Sequence, residues 1–275
     1  MSERNKKWEL KQLTHKPRRT SALSSLLAMP VLVAAAILAS PGTCCAGIVT
    51  FSGVDPNGPE TRIPHPNSDA ARDNFLAGLT GVGTKTFESF TPGTTPATLV
   101  FPGAGTASFM GAPPVESFPP PTTSGAGRFP ISGNNSLEAS TQTFGITFGK
   151  PVAAFGFYGV DIGDFGGTLT LTLATATGST VLTVPAAPMD TANASVLYFG
   201  FYTTSPDQLF TSITFDNSST IDVFGFDDMT IGSFEQVKVA EVPEPATLTL
   251  FGLGIVGLAS YRWRPARRPL AVHGE

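Results

Sequence analysis

Cysteine and histidine are scarce in this sequence, and their scarcity narrows the chemistry open to the protein. Both cysteines, Cys44 and Cys45, lie in the first 46 residues, and only two of the three histidines, His65 and His273, lie beyond them. A body without thiols has no disulfide, no cysteine nucleophile and no thiolate metal site. His65 lies between two prolines and no G-x-S-x-G motif accompanies it, so we expect no enzyme.

Charged residues are also few, at 14% of the chain, and they are unevenly distributed. Residues 1–46 carry seven basic and two acidic residues, whereas residues 47–242 carry six basic and 17 acidic ones. An acidic body lacks the basic surface that nucleic-acid binding requires, so we expect no nucleic-acid partner. Glycine, proline and phenylalanine are abundant instead. This composition is typical of an all-β protein, because turns use Gly and Pro while strands take aromatic residues.

The N-terminal segment, residues 1–46, has the order of an export signal. A long basic region that ends at Arg18 and Arg19 precedes an apolar run, SALSSLLAMPVLVAAAILAS, and small residues follow it. We predict a signal peptide cleaved between Ala46 and Gly47, which leaves an exported domain over residues 47–241. An uncleaved membrane anchor and a lipidated cysteine in the CC pair are the alternatives.

Short apolar runs bounded by Gly, Pro, Asn, Asp or Ser follow one another through most of the body. The run TLTLTL alternates strictly, so Leu169, Leu171 and Leu173 share one face of a strand. No helical pattern separates these runs, which argues against a parallel sheet with crossover helices. The spacing predicts an antiparallel sandwich or barrel, with one short helix over residues 68–79.

Two further features of the body concern loops and packing. Residues 92–127 are rich in Pro, Gly and Thr, and this composition predicts a long surface loop. The tripeptide Phe-Gly-Phe occurs at 155–157, 199–201 and 224–226. Its irregular spacing indicates three core strands, with the glycines at bulges or close crossings.

Two acidic turns are candidate metal sites. DIGDFGG places Asp161 and Asp164 in a glycine-containing turn, and IDVFGFDDMTIG places Asp222, Asp227 and Asp228 around a strand. Calcium takes several oxygen ligands in irregular geometry, so Ca²⁺ is the one cofactor these turns suggest. Its candidate ligands are Asp161, Asp164, Asp227 and Asp228. The alternative is that these aspartates bond backbone amides and keep the strand ends soluble.

The C-terminal segment has three parts. Pro243, Glu244 and Pro245 come first, and residues 246–263 follow with no charge before the arginines and with nearly membrane-spanning length. The basic cluster consists of Arg262, Arg264, Arg267 and Arg268. The positive-inside rule then places the tail, residues 269–275, in the cytoplasm and the body outside. A buried final helix or strand is the alternative.

This arrangement, over residues 242–268, resembles the PEP-CTERM sorting signal of exosortase substrates in exopolysaccharide-producing Gram-negative bacteria. The resemblance implies that Pro243, Glu244 and Pro245 are recognised, that residues 246–263 form a transmembrane helix, and that the basic cluster stops transfer. It also implies an exosortase partner, with the body held in the periplasm at the inner membrane until processing delivers it to the cell surface or the medium. The tail RPLAVHGE extends further past the arginines than is usual in the family.

The stretches PVAAFGFYGVDIGDFGGTLTLTL and DVFGFDDMTIG make the body similar to jelly-roll, lectin-like β-sandwiches. The expected fold is an all-β antiparallel sandwich between a signal helix and a transmembrane helix. We expect a non-catalytic surface or matrix protein that binds extracellular polysaccharide, either on aromatic platforms or through Ca²⁺ bridges to an anionic matrix. The candidate platforms are Tyr158, Tyr198, Tyr202 and Phe118. The alternatives are a secreted carbohydrate-active hydrolase and an unprocessed single-pass membrane protein.

Overall fold

The computed structural model describes residues 47–111, 113–140 and 142–238, together with Gly254, Ile255 and Leu258. Within the described part of residues 47–238 the chain forms thirteen strands and one α-helix. The strands are β1 (Ile48–Asp55), β2 (Thr84–Lys85), β3 (Thr98–Phe101), β4 (Gly105–Met110), β5 (Val115–Ser117), β6 (Asn135–Ala139), β7 (Thr143–Val152), β8 (Ala154–Val160), β9 (Leu169–Thr175), β10 (Gly178–Thr183), β11 (Val196–Thr203), β12 (Phe210–Asn217) and β13 (Phe224–Gly232), and the helix is α1 (Pro66–Ala77).

The strands build two sheets. The first has the order β1-β11-β8-β13-β6-β5, with β2 also paired to β13, and the second has the order β10-β9-β12-β7-β4-β3. Every strand pair among the described residues is antiparallel. The predicted all-β antiparallel sandwich is therefore confirmed. The predicted helix is also present, although it begins two residues earlier, at Pro66.

Phenylalanine side chains fill the space between the two sheets. Phe157 of the first sheet meets Phe215 of the second with ring centroids 5.8 Å apart, and Phe215 stacks on Phe144 at 4.4 Å. All three rings are buried. Leu169, Leu171 and Leu173 of β9 are buried in the same core, as the TLTLTL alternation predicts. Burial of this apolar surface is the main force that holds the sheets together.

The Phe-Gly-Phe tripeptides of β8 and β11 pair in register, with Gly156 opposite Gly200. Their phenylalanines belong to the core between the sheets, and their glycines lie on the other face, where α1 packs. A Cβ atom on either glycine would lie 2.9 Å from the ring of Phe75 in α1. The glycines therefore allow the helix to approach the sheet closely, which agrees with the predicted close crossings.

The prediction of one long loop over residues 92–127 is wrong in part, because β3, β4 and β5 lie within it. The prolines of this region fall between the strands, at positions 92, 96, 102, 113, 114 and 119–121. Pairing of β3 with β4, and of β5 with β6, overrides the loop-like composition. The true loop runs from residue 118 to residue 134 and crosses the outer face of the first sheet, where Phe129 is buried beside Tyr158.

The sandwich has two ends with different roles in the chain path. We call one the loop end, formed by residues 161–168, 184–195 and 218–223, which connect β8 to β9, β10 to β11 and β12 to β13. We call the other the exit end, formed by residues 102–104, 204–209 and 233–238. The described body ends there at Lys238, which bonds the C-terminal turn of α1 through the Ala77 and Gly78 carbonyls.

The predicted terminal segments lie largely outside the described residues. These are the signal peptide over residues 1–46, with its helix, and most of the segment over residues 242–275. Gly254, Ile255 and Leu258 are helical, and among the described residues no helix is both long and apolar enough to cross a membrane. Gly47 is the first described residue and β1 begins at Ile48, so the predicted cleavage would leave β1 intact.

Candidate binding site at the loop end

Three acidic residues meet at the loop end. Asp161 and Asp164 lie in the turn after β8, and Asp222 lies in the turn before β13. The Asp222 carboxylate accepts hydrogen bonds from the Gly163 amide at 3.1 Å and from Asn217 Nδ2 at 2.9 Å. The Asp164 carboxyl lies within hydrogen-bonding range of the Asp222 carboxyl. The fold thus brings Asp161 and Asp164, from one of the two predicted acidic turns, next to Asp222, from the other.

The environment of Asp161 and Asp164 disfavours the charged forms of these two carboxyls. Asp161 is buried, and its Oδ1 accepts a hydrogen bond from the Ala194 amide at 2.8 Å. Burial raises the pKa of Asp161 to about 7; the Ala194 amide opposes the rise, and Asp164 adds to it. Burial, followed by contact with Asp222, raises the pKa of Asp164 to about 6. Carboxyls with raised pKa values in one cluster are a common feature of functional sites.

Buried oxygen atoms without hydrogen-bond partners collect at this end. In the described part of the chain, five buried side-chain atoms lack a partner, and four of them are Asp161 Oδ2, Asp164 Oδ1, Asn193 Oδ1 and Asp222 Oδ1. The fifth, the Tyr198 hydroxyl, lies on the outer face of the first sheet. Unpaired buried acceptors are costly, and a native protein normally satisfies them with a donor, a water molecule or an ion.

Three exposed apolar side chains surround the acidic cluster. Phe165, Met189 and Ile221 have exposed fractions of 55%, 63% and 66%. Phe165 follows Asp164 and Ile221 precedes Asp222, while Met189 Sδ would lie 3.6 Å from a Cβ at Gly166. The three side chains therefore lie on neighbouring loops. Phe165, the aromatic one of the three, lies in the acidic turn itself.

Asp227 and Asp228 do not join this cluster. Asp227 is buried, and its Oδ2 accepts hydrogen bonds from the amides of Ile131 at 2.9 Å and Ser132 at 3.0 Å. Asp228 Oδ1 accepts a hydrogen bond from the Ser132 hydroxyl at 2.6 Å. For these two candidates the structure agrees with the alternative interpretation, in which aspartates bond backbone and side-chain donors. They fix residues 131–132 of the loop against a bulge in β13.

Two of the predicted aromatic platforms are wrong. Tyr158 and Tyr198 are buried beneath α1, where their rings meet at 5.0 Å. The Tyr158 hydroxyl donates a hydrogen bond to Asp69 at 2.5 Å, and His65 Nδ1 lies 3.1 Å from the same carboxylate. Tyr202 and Phe118 are half-buried. Exposed platforms at Tyr158 and Tyr198 are excluded because α1 and the loop over residues 118–134 cover the outer face of the first sheet.

A cleft of about 640 Å³ lies at the exit end. Its lining includes Thr106, Lys150, Phe234, Glu235 and Gln236. Gln236 Nε2 donates to the carbonyls of Gly81 at 2.8 Å and Gly103 at 3.1 Å, which closes one side of the cleft. Its volume is within the usual range for small-ligand pockets. One of its lining residues, Gln236, is two residues before Lys238, the last described residue of the body.

Sequence reasoning did not single out Asn193, Phe165, Met189 or Ile221 as site residues. Their contribution depends on loops that are distant in the sequence and adjacent in the fold. One available signal was the aromatic residue in the turn DFGG, because a phenylalanine flanked by Asp and Gly in a turn has no strand face through which to become buried.

The fold and the site define an acidic β-sandwich whose loops carry an exposed apolar rim over buried carboxyls. A second identification concerns only the C-terminal segment. The family model for the PEP-CTERM protein-sorting motif matches residues 241–268. The chain therefore carries a PEP-CTERM sorting motif, at the position that the sequence predicts. The motif implies an exosortase as processing partner, export with membrane anchoring before cleavage, and display at the cell surface afterwards.

The comparisons say less about the body. Among solved structures, the K2 cleaved adhesin domain of Lys-gingipain is 16% identical with a TM-score of 0.34, over 55% of this chain and 98% of that chain. Similarity at that level carries no argument about function. The comparison with curated proteins finds no match.

Proposed function

We propose that this protein is a non-catalytic, surface-displayed binding protein that attaches to polysaccharide through the loop end. The observation that carries the proposal is the exposed ring of Phe165, flanked by Met189 and Ile221. Aromatic rings supply large apolar contact area with little loss of side-chain entropy, and the apolar faces of sugar rings stack on them. The excess of carboxyls around Phe165 favours a neutral polysaccharide over an anionic one.

The path of the chain supports the choice of the loop end. Lys238, at the exit end, precedes Glu244 by six residues, so an extended linker reaches at most about 21 Å. The body is thus held close to the membrane by its exit end until processing. The seven residues of β8 separate the two ends by about 20 Å, which keeps the loop end on the far side of the body.

The spacing of the carboxyls argues against the alternative of a glycoside hydrolase. Asp164 and Asp222 lie within hydrogen-bonding range of each other, whereas the two carboxyls of a glycosidase are separated by about 5 to 9.5 Å so that they can flank the bond to be cleaved. A carboxyl pair within hydrogen-bonding range leaves no room for a sugar between its members. We therefore propose binding without turnover.

Co-sedimentation of the processed protein with insoluble neutral polysaccharides tests this proposal. We expect Phe165→Ala to weaken binding about tenfold, a loss of about 1.4 kcal/mol, with the thermal unfolding midpoint unchanged. Val100→Ala is the matched control, because Val100 is similarly exposed, at 62%, but lies on β3, beside residues 102–104 of the exit end. Equal affinities for both variants, or release of reducing sugar by the wild-type protein, would refute the proposal.

A further inference from the structure

We infer that the loop end binds one divalent cation, Ca²⁺, held by oxygens of Asp161, Asp164, Asp222 and Asn193. Each of these side chains has a buried oxygen without a hydrogen-bond partner. Asp161 and Asp222 are themselves 1% and 4% exposed. The inference concerns a site beneath the apolar rim, so it does not depend on polysaccharide binding.

The charges around the cluster leave a deficit that a cation would fill. Arg128 is the only basic side chain that the described structure pairs with these acids, and its Nη1 is 3.5 Å from Asp161 Oδ2. The same guanidinium makes a shorter contact, 2.8 Å through Nε, with Glu138. One positive charge is therefore shared between two carboxylates, and Asp164 and Asp222 face each other without a basic partner. Taking like charges out of water in this way is unfavourable unless a proton or a cation compensates them.

The amide oxygen of Asn193 points to a cation and not only to a proton. Gly127 places it beside Asp161: a Cβ at Gly127 would touch Asn193 Oδ1 and lie 2.8 Å from Asp161 Oδ1. A proton shared between two carboxyls would satisfy Asp164 and Asp222, but it would leave Asn193 Oδ1 and Asp161 Oδ2 without a hydrogen-bond donor. A set of carboxylate and amide oxygens is the donor set that Ca²⁺ takes.

The spacing of the donor oxygens bears on the choice between Ca²⁺ and Mg²⁺. Among the described residues, no group of three His, Cys, Asp or Glu side chains already stands at metal-ligand spacing. Binding must therefore draw the carboxylates of neighbouring loops together into an irregular shell. Calcium accepts irregular shells of six to eight oxygens, whereas magnesium requires a near-octahedral one and gives up its water reluctantly.

Calcium titration of the full chain, purified in detergent and stripped with EGTA, tests the inference. We expect one Ca²⁺ per chain by isothermal calorimetry and a rise in the thermal unfolding midpoint of about 5 °C at saturation, because the ion binds only the folded state. Magnesium at the same concentration should give less than half of that rise. Asp164→Asn and Asn193→Ala, both at partly exposed positions, should each weaken Ca²⁺ binding about tenfold or more.

Asp190→Asn is the matched control, because Asp190 is an exposed acidic residue of the same end. We expect its Ca²⁺ affinity to stay within about twofold of the wild type. A wild-type chain with neither heat of binding nor a shifted midpoint would overturn the inference. So would Asp164→Asn and Asn193→Ala variants that bind Ca²⁺ as tightly as the control. Because these readouts contain no sugar, they are separate from the test of polysaccharide binding.

Discussion

The two ends of the sandwich differ in what their side chains leave unsatisfied. At the exit end, no buried side-chain polar atom of the described residues lacks a partner; Gln236 bonds two carbonyls and Lys238 bonds the end of α1. At the loop end, buried oxygens of Asp161 and Asp222 lack partners and large apolar side chains face solvent. The contacts of the exit end therefore hold the fold together where the chain leaves the body. The unpaired buried oxygens and exposed apolar side chains of the loop end are features that stability alone does not require.

The largest effect is expected on processing, from a substitution in the sorting motif that leaves the loop end unchanged. Replacing Glu244 with Ala removes an acidic residue of the matched sorting motif, and we expect processing to be abolished because exosortase processing depends on that motif. Intact mass of the protein in membrane and secreted fractions should then show only the unprocessed chain. Phe165→Ala, at the loop end, should be processed like the wild type. A wild-type protein that retains the basic cluster in every fraction would instead favour a permanent single-pass anchor.

A pair of glycines tests whether the packing around the acidic cluster is specific. Gly127 and Gly125 both have left-handed backbones, with φ of 89° and 77°, so alanine is strained at either position. Only Gly127 contacts the cluster, whereas a Cβ at Gly125 has nothing within 4 Å. We expect Gly127→Ala to lower the free energy of unfolding by about 3 kcal/mol and Gly125→Ala by about 1 kcal/mol, measured by urea unfolding. Equal losses would mean that the cluster is loosely packed.

The raised pKa values predict how stability depends on pH. In the folded state Asp161 and Asp164 have pKa values of about 7 and about 6, above the ordinary value of 3.8. Between these limits the native state binds more protons than the unfolded state, so their contribution falls as pH rises from about 4 to 7. In EGTA, we expect wild type to lose stability relative to Asp164→Asn between pH 5 and pH 7.5, as measured by the difference in urea midpoints. A difference that is constant or changes in the opposite direction would contradict the raised pKa of Asp164.

The smallest effect is expected at the exit end. Lys150 and Glu235 line its cleft, and Glu235 accepts a bond from the Ser233 hydroxyl at 2.8 Å on the protein surface. Lys150→Ala and Glu235→Ala should each change the free energy of unfolding by less than about 0.5 kcal/mol and leave polysaccharide co-sedimentation unchanged. Weaker co-sedimentation of these variants would move the binding site from the loop end to the cleft.

The sequence predicts which segments form strands better than it predicts what packs against those strands. The alternation of TLTLTL and the recurrence of Phe-Gly-Phe identify core strands, because side chains on a strand change face at every residue. The same reasoning misplaces Tyr158 and Tyr198, since it cannot tell which face of the first sheet α1 covers. It also extends one loop over β3 to β5, because local composition carries no information on cross-strand partners.

What the sequence determined alone is the sorting segment, an acidic body without thiols and an antiparallel fold. A sorting motif is a linear order of residues, so its match over residues 241–268 requires no tertiary structure. Only the tertiary structure decided that Asp161 and Asp164 meet Asp222 and Asn193, while Asp227 and Asp228 bond a loop on the outer face of the first sheet. The physical reason is that β8 and β13 pair side by side. This pairing brings the turn after β8 and the turn before β13 together at the loop end. Asp227 and Asp228 lie within β13 itself, so they contact groups beside the sheet instead.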